Sequence, residues 1–261
     1  LVYPADFIRE AERSRRIGVE VGRPVVDWDA VSGRMWEQIN FHRTIEKNLR
    51  QIPNLTVYRG TGAFTGPNGM AITREDGSAE EITGDKFLLA AGARSSVPPV
   101  EGLEEAGYVT SESFFGEKFP KKPWESLLII GGGSISAEFA HIFSAFGTKV
   151  TILVRSGGIL NKEEPEIAEF VARQFTENGI DILTNGVPVS VRAEGGRKYV
   201  TVENKITHER SVVECEEIFA ASGVRSNADS LALDKAGVET DKNGWIVTNS
   251  YLETSQSHIW A

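Results

Sequence analysis

A glycine-rich turn is the first feature of this sequence whose residue types and spacing could do chemistry. Gly131, Gly133 and Ser136 fit the pattern G-x-G-x-x-S, between an apolar run and an amphipathic stretch. The first glycine of this pattern permits a tight turn, the second lets the backbone approach a pyrophosphate, and a small third residue packs helix against strand. The helix that follows, through Ser134 and Ile135, would offer free N–H groups and a positive dipole to phosphates. The pattern predicts dinucleotide binding, and a turn that only packs is the alternative.

The end of the next predicted strand indicates which dinucleotide would bind. An NAD(H) site usually has Asp or Glu there for the ribose hydroxyls, whereas this chain has Val154, Arg155 and Ser156. Arg155 could pair with a 2′-phosphate, and Ser156 could donate to it. The pattern favours NADP(H) over NAD(H), with a solvated Arg155 as the alternative.

The elements that must position these residues follow from the apolar pattern. Around the glycine turn, short apolar runs alternate with helical stripes, which is typical of a parallel sheet with crossover helices. The predicted elements are a strand at 127–130, a helix through 135–146, a strand at 150–154, a helix through 167–175 and a strand at 180–183. A β-meander through 187–214 and an apolar strand at 217–221 come next. The expected fold class is α/β.

The first 97 residues have a different pattern. Helices are predicted over 4–16 and 27–52, and the second is expected to be capped by Asp27 or Asp29. Asp76-Gly77 predicts a hairpin turn between two strands. The short strands are predicted at 55–58, 70–73, 80–83 and 87–91.

Composition excludes several classes of protein. Of the 261 residues, 40% are hydrophobic and 25% are charged, as in ordinary soluble globular chains. The net charge of −9, without a large basic block, argues against nucleic acid as a partner. No apolar run reaches the roughly 18–20 residues of a membrane span, and no signal peptide is recognised. The single cysteine, Cys215, excludes a disulfide framework and a cysteine-rich zinc site. A cytoplasmic location is expected.

Four ordered segments give the chain a resemblance to the pyridine nucleotide–disulfide oxidoreductases, which are flavoenzymes with two dinucleotide sites. The longest is GGGSISAEFAHIFSAFG at 131–147. Segments 85–94 and 221–227 resemble the family's two A-T-G motifs, and 254–261 resembles the run before its final Gly-Asp. Within the family, EFAHIFSAFG and the string SNAD at 226–229 most resemble mycothione reductase and mercuric-reductase-like members.

The resemblance implies a hydride transfer from NADPH to FAD and then, in the intact parent, to a disulfide or metal substrate. Glu138 matches a glutamate beside the nicotinamide, and Gly223 matches a glycine against its nicotinamide end. The intact parent is expected to be a homodimer. An NAD-dependent enzyme similar to dihydrolipoamide dehydrogenase and a non-catalytic nucleotide-binding module are the two alternatives.

The resemblance also implies an FAD-binding domain that is split and incomplete. Gly62 and Ala63 match a loop whose backbone meets the flavin's adenine, and Ala91 and Gly92 match residues on the FAD pyrophosphate side. The family's FAD glycine turn, redox cysteine pair and dimerisation domain find no match, so the chain is expected to be an internal fragment without catalytic residues or a metal site. The expected domains are a partial FAD-binding domain over 1–97, a Rossmann-type NAD(P)-binding domain over 98–224 and a return segment over 225–261.

Overall fold

The structure is a computed structural model that describes residues 1–22, 24–41 and 43–261. The chain forms two compact units. Unit 1 comprises Leu1–Ile39 and Ser95–Gly223, and unit 2 comprises Asn40–Arg94 and Val224–Ala261. Each unit is therefore built from two segments that are distant in the sequence. The assignment of FAD to segments 1–97 and 225–261, and of NAD(P) to segment 98–224, stays a prediction.

The helices and strands are numbered in chain order. The helices are α1 Val2–Arg13, α2 Trp28–Phe41, α3 Arg43–Leu49, α4 Leu103–Ala106, α5 Ser111–Phe114, α6 Ser134–Ala145, α7 Pro165–Glu177 and α8 Leu233–Ala236. The strands are β1 Thr61–Phe64, β2 Gly69–Thr73, β3 Ala79–Thr83, β4 Phe87–Leu88, β5 Ala93–Ser95, β6 Ser126–Ile130, β7 Lys149–Leu153, β8 Asp181–Leu183, β9 Gly186–Glu194, β10 Arg197–Asn204, β11 Arg210–Cys215, β12 Glu217–Ala220, β13 Val224–Ser226 and β14 Ile259–Trp260.

A four-stranded parallel sheet in the order β12-β6-β7-β8 forms the centre of unit 1. Leu127 and Ile129 of β6 pack in the cluster that contains the buried face of α6, whereas Leu128 and Ile130 pack against the meander β9-β10-β11. Successive residues of a strand point to opposite faces, so a strand covered on both faces is apolar throughout. The predicted α/β fold, with its parallel sheet and meander, is confirmed.

Helix α1 also belongs to unit 1, because it lies on α6. The Arg9 guanidinium donates to Ser144 Oγ at 2.8 Å, and His141 Nε2 lies 2.8 Å from Asp6 Oδ1. These contacts join residues 135 positions apart, which no local pattern could predict. The predicted cap of the next helix is confirmed for Asp27, whose carboxylate accepts from the Ala30 N–H at 3.0 Å.

Unit 2 contains the antiparallel meander β1-β2-β3 and the parallel pair β4-β14. The predicted hairpin at Asp76-Gly77 is confirmed, with Gly77 at φ +80°. The predicted strand at 55–58 is wrong. Pairing starts only at Thr61, opposite Thr73, because the β1–β2 register places the preceding residues beyond the end of β2. Position 42, inside the predicted helix 27–52, lies outside the described residues. In the described part of the chain, no helix is long and apolar enough to cross a membrane.

Candidate functional site

Three loops of unit 1 leave the parallel sheet at the same edge. Strands β6, β7 and β12 run parallel, so their carboxyl ends meet there. The chain passes from β6 to β7 and β8 on one side, while β12 lies on the other, so the strand order reverses at β6. Ligands of open α/β sheets bind in the crevice at such a point. The structure thus brings the glycine turn, Arg155-Ser156 and Gly223 to one edge of one sheet.

The first two glycines of the turn are required by the chain's own packing. Gly131 has φ +131°, and a Cβ added there would lie 2.1 Å from the carbonyl oxygen of Ala221. At Gly132 a Cβ would lie 2.8 Å from Val154 Cγ1 and 3.5 Å from the Cα of Ile159. Both approaches are too close for a side chain, so these two glycines are explained without a ligand.

Gly133 is different, because nothing in the protein requires a glycine there. Its backbone is extended, with φ −86° and ψ −171°, which any residue adopts. A Cβ added at Gly133 would meet no atom within 4 Å. A glycine with ordinary backbone angles and open space around it leaves room for a group outside the chain. This is the position at which the sequence pattern predicts the approach of a pyrophosphate.

The amino terminus of α6 fits an anionic ligand. Gly133 is its N-cap and supplies no capping side chain. The N–H groups of Ser134, Ile135 and Ser136 have no hydrogen-bond partner among the described residues. Free amides and the helix dipole favour a phosphate at such an end. Ser136 is buried, as expected for the small residue that packs helix against strand, and its hydroxyl finds no partner in the described residues.

Arg155 and Ser156 follow β7 at the same edge. Arg155 is exposed and takes part in none of the ion pairs among the described residues, so its guanidinium is available to an external anion. Ser156 is more constrained than the sequence predicted. Its hydroxyl donates to the carbonyl of Gly158 at 3.0 Å and lies 3.5 Å from Asn161 Nδ2. Donation to a phosphate would require the bond to Gly158 to break.

Glu138 and Gly223 are the two residues predicted at the nicotinamide end. Glu138 belongs to α6, and Gly223 belongs to the loop that follows β12. Glu138 is exposed, about one helical turn after Ser134 on α6, and has no partner among the described residues. Gly223 has φ +108°, which favours glycine whether or not a ligand is present. Its carbonyl accepts from the Ser96 N–H at 2.9 Å. The Ser222 hydroxyl donates to the Ile130 carbonyl at 3.3 Å and so ties this loop to the end of β6.

The four residues expected beside a flavin lie in unit 2. Gly62 and Ala63 belong to strand β1, not to a loop as expected, because they pair with β2. Ala91 and Gly92 lie between β4 and β5, with Gly92 at φ +68°. No strand pairing joins these two pairs of residues within the described chain.

Asn227 is a residue that sequence reasoning missed as an anchor in unit 2. Its side-chain amide donates to the Ala91 carbonyl at 3.0 Å, and its N–H donates to the Gly92 carbonyl at 3.3 Å. Beside it, Arg94 forms an ion pair with Asp229 at 2.5 Å. The signal was present in the string SNAD, since asparagine readily hydrogen-bonds backbone in turns.

Cys215 is a structural residue. It is 1% exposed, and burial raises the pKa of its thiol to about 12. The thiolate is the reactive form of cysteine, so this thiol is inert near neutral pH. The main cause of the raised pKa is desolvation, and the charge of Glu217 is a smaller contribution.

Comparisons with known proteins agree with this geometry. The family described as "Pyridine nucleotide-disulphide oxidoreductase" matches residues 7–261. A mercuric reductase of Staphylococcus aureus is 34% identical over 70% of this chain and 33% of its own length. A mycothione reductase of Mycobacterium tuberculosis (strain ATCC 25618 / H37Rv) is 29% identical over 100% of this chain and 55% of its own.

Solved structures show the same similarity. The HOCl-induced flavoprotein disulfide reductase RclA from Escherichia coli, in its Cu(II) complex, superposes with a TM-score of 0.76 at 26% identity. The match covers 99% of this chain and 53% of that one. The chain therefore spans between about a third and about half of the length of these relatives.

Proposed function

This chain belongs to the pyridine nucleotide–disulfide oxidoreductase family, and we propose that it binds NADPH at the edge of its parallel sheet for hydride transfer to FAD. The observation that carries the proposal is Gly133, which stands where the glycine pattern places the pyrophosphate and has open space where a side chain would lie. In the intact protein the electron acceptor would be a disulfide or a metal ion, as the names of the relatives suggest. We propose that the intact protein is a cytoplasmic homodimer.

The pyrophosphate is held by the glycine turn and the start of α6. Gly131 turns the chain at the end of β6, and Gly133 admits the phosphates to the backbone. The unpartnered amides of Ser134, Ile135 and Ser136 donate to phosphate oxygens, which the helix dipole also attracts. Because these donors are fixed by the helix, binding requires little rearrangement of the chain.

The remaining residues orient the two ends of the nucleotide. Glu138 and Gly223 are assigned to the nicotinamide end, where the exposed carboxylate orients a polar group and the missing side chain leaves room for a flat ring. Arg155 and Ser156 are assigned to the ribose 2′-phosphate. The chemistry that the two cofactors supply when bound is transfer of a hydride from the reduced nicotinamide to the flavin.

Arg155→Ala is expected to weaken NADPH binding by about 1–3 kcal/mol while leaving NADH binding unchanged. Only NADPH carries the 2′-phosphate that the exposed guanidinium would pair with. Titration calorimetry of both nucleotides at one salt concentration measures the difference. Lys162→Ala, which removes another exposed charge of the same loop, should leave both affinities unchanged. Equal affinity of the unmodified chain for NADPH and NADH would instead favour the NAD-dependent alternative.

The assignment of Gly62, Ala63, Ala91 and Gly92 to FAD predicts only weak flavin binding by this chain alone. Within the described residues of unit 2, no helix follows a strand through a glycine turn, and α3 and α8 are only seven and four residues long. Unit 2 therefore lacks the helix amino terminus that usually holds a dinucleotide pyrophosphate.

The purified 261-residue chain is accordingly expected to be colourless. A visible absorbance scan of the protein, and of the supernatant after denaturation, tests this. A yellow protein with one FAD per chain would contradict the expectation and show that unit 2 holds flavin by other contacts. A colourless protein that NADPH saturates would also be compatible with the non-catalytic module, which reductase assays of the intact protein would then distinguish.

A further inference from the structure

Leu160, in the loop after β7, has a backbone conformation that is rare for its residue type. Its φ is +53°, in the left-handed region that residues other than glycine, asparagine and aspartate seldom adopt. Such strain persists only where the surrounding structure imposes it, and it gathers at functional sites. The preceding residue, Ile159, is buried in the core of unit 1, and Leu160 packs against the same core.

The strained residue makes a short contact with the glycine turn. The Leu160 N–H donates to the carbonyl of Gly132 at 2.6 Å, and the Leu160 carbonyl accepts from the Glu163 N–H at 2.9 Å. Both backbone groups of Leu160 are therefore hydrogen-bonded in this left-handed conformation. The bond ties the loop that carries Arg155 to the turn that would hold the pyrophosphate.

The bond to Gly132 also determines where the next N–H points. In a trans peptide the C=O and N–H groups point in opposite directions. Because the Gly132 carbonyl is directed at Leu160, the N–H of Gly133 is directed away from it. That N–H has no partner among the described residues, and it belongs to the glycine at which an added Cβ would meet no atom within 4 Å.

We infer that Leu160 is a positioning residue for dinucleotide binding: its N–H fixes the Gly132–Gly133 peptide so that the Gly133 N–H is presented to the pyrophosphate. The inference rests on the proposed binding of NADPH. It assigns Leu160 to a group that NADPH and NADH share, whereas Arg155 is assigned to the 2′-phosphate that only NADPH has.

The test compares Leu160→Ala with Leu160→Gly. Both variants lose the side-chain atoms beyond Cβ, and glycine also loses Cβ, but only glycine adopts φ +53° without strain. Titration calorimetry with NADPH and NADH on the full chain should show both affinities about 10-fold weaker in Leu160→Ala, since relaxation of the backbone would release the Gly132 carbonyl. Leu160→Gly should stay within about 2-fold of the unmodified chain for both nucleotides. Thermal unfolding should show that both variants are destabilised by the lost side chain.

The outcomes separate the inference from the proposed function. Equal loss of affinity in the two variants would overturn the inference, because packing rather than backbone geometry would then matter. Loss of NADPH binding alone in Leu160→Ala would also overturn it, since the residue would then act through Arg155. If Leu160→Ala does not fold, Leu160→Val, which keeps an apolar side chain but resists the left-handed region, replaces it in the comparison. If the unmodified chain binds neither nucleotide, the proposed function fails, and the inference fails with it.

Discussion

Gly133→Val is expected to abolish dinucleotide binding while the fold stays intact. The backbone angles at Gly133 suit any residue, and an added Cβ meets no protein atom within 4 Å. The valine would instead occupy the space through which the backbone approaches the pyrophosphate. We expect NADPH affinity to fall by more than about 100-fold, because the amides at the start of α6 would no longer reach the phosphates. Titration calorimetry, with far-UV circular dichroism and thermal unfolding, measures binding and fold separately.

Gly66→Val is the matched control for this variant. Gly66 also lacks a positive φ and has no atom within 4 Å of an added Cβ, and it lies in unit 2. The control should keep both the fold and the NADPH affinity of the unmodified chain. If Gly133→Val binds NADPH as tightly as Gly66→Val does, the glycine turn only packs, and the proposed site is refuted.

Gly131→Ala, in contrast to Gly133→Val, is expected mainly to lower the stability of the fold. Gly131 sits at φ +131°, and an added Cβ would lie 2.1 Å from the carbonyl oxygen and 2.6 Å from the carbonyl carbon of Ala221. Both atoms are backbone at the end of β12, so neither can rotate away. We expect the free energy of unfolding to fall by about 3 kcal/mol or more, from the strained φ and the overlap together. Urea denaturation followed by circular dichroism measures the loss.

The matched variant at the same turn is Gly133→Ala, which should change the free energy of unfolding by less than about 0.5 kcal/mol, because it meets no neighbour. The contrast between positions 131 and 133 is the critical result. Similar stabilities for the two alanine variants would mean that the turn does not approach β12 as closely as the structure shows. A destabilised Gly133→Ala would mean that its glycine, too, is a packing requirement.

Several correct predictions depended on patterns within short stretches of the sequence. The strand, glycine turn and helix from β6 through α6 were predictable because apolar periodicity and the glycine spacing act within about twenty residues. The Asp27 cap was predictable for the same reason, since its carboxylate bonds an amide three residues away. The strand at 55–58 was wrong because register depends on the partner strand, and Thr61 is the first residue opposite β2.

The sequence by itself determined the α/β class, the position of the turn and the absence of an acid at the end of β7. Only the tertiary structure decided that Gly131 and Gly132 are required by packing while Gly133 has open space, because the neighbours of the first two come from the segments that follow β12 and β7. It also decided that Ser156 already donates to Gly158. The left-handed Leu160, bonded to a carbonyl 28 positions earlier at Gly132, has no signature in the residues around it. Such contacts depend on which segments the folded sheet brings together, and local composition does not encode that proximity.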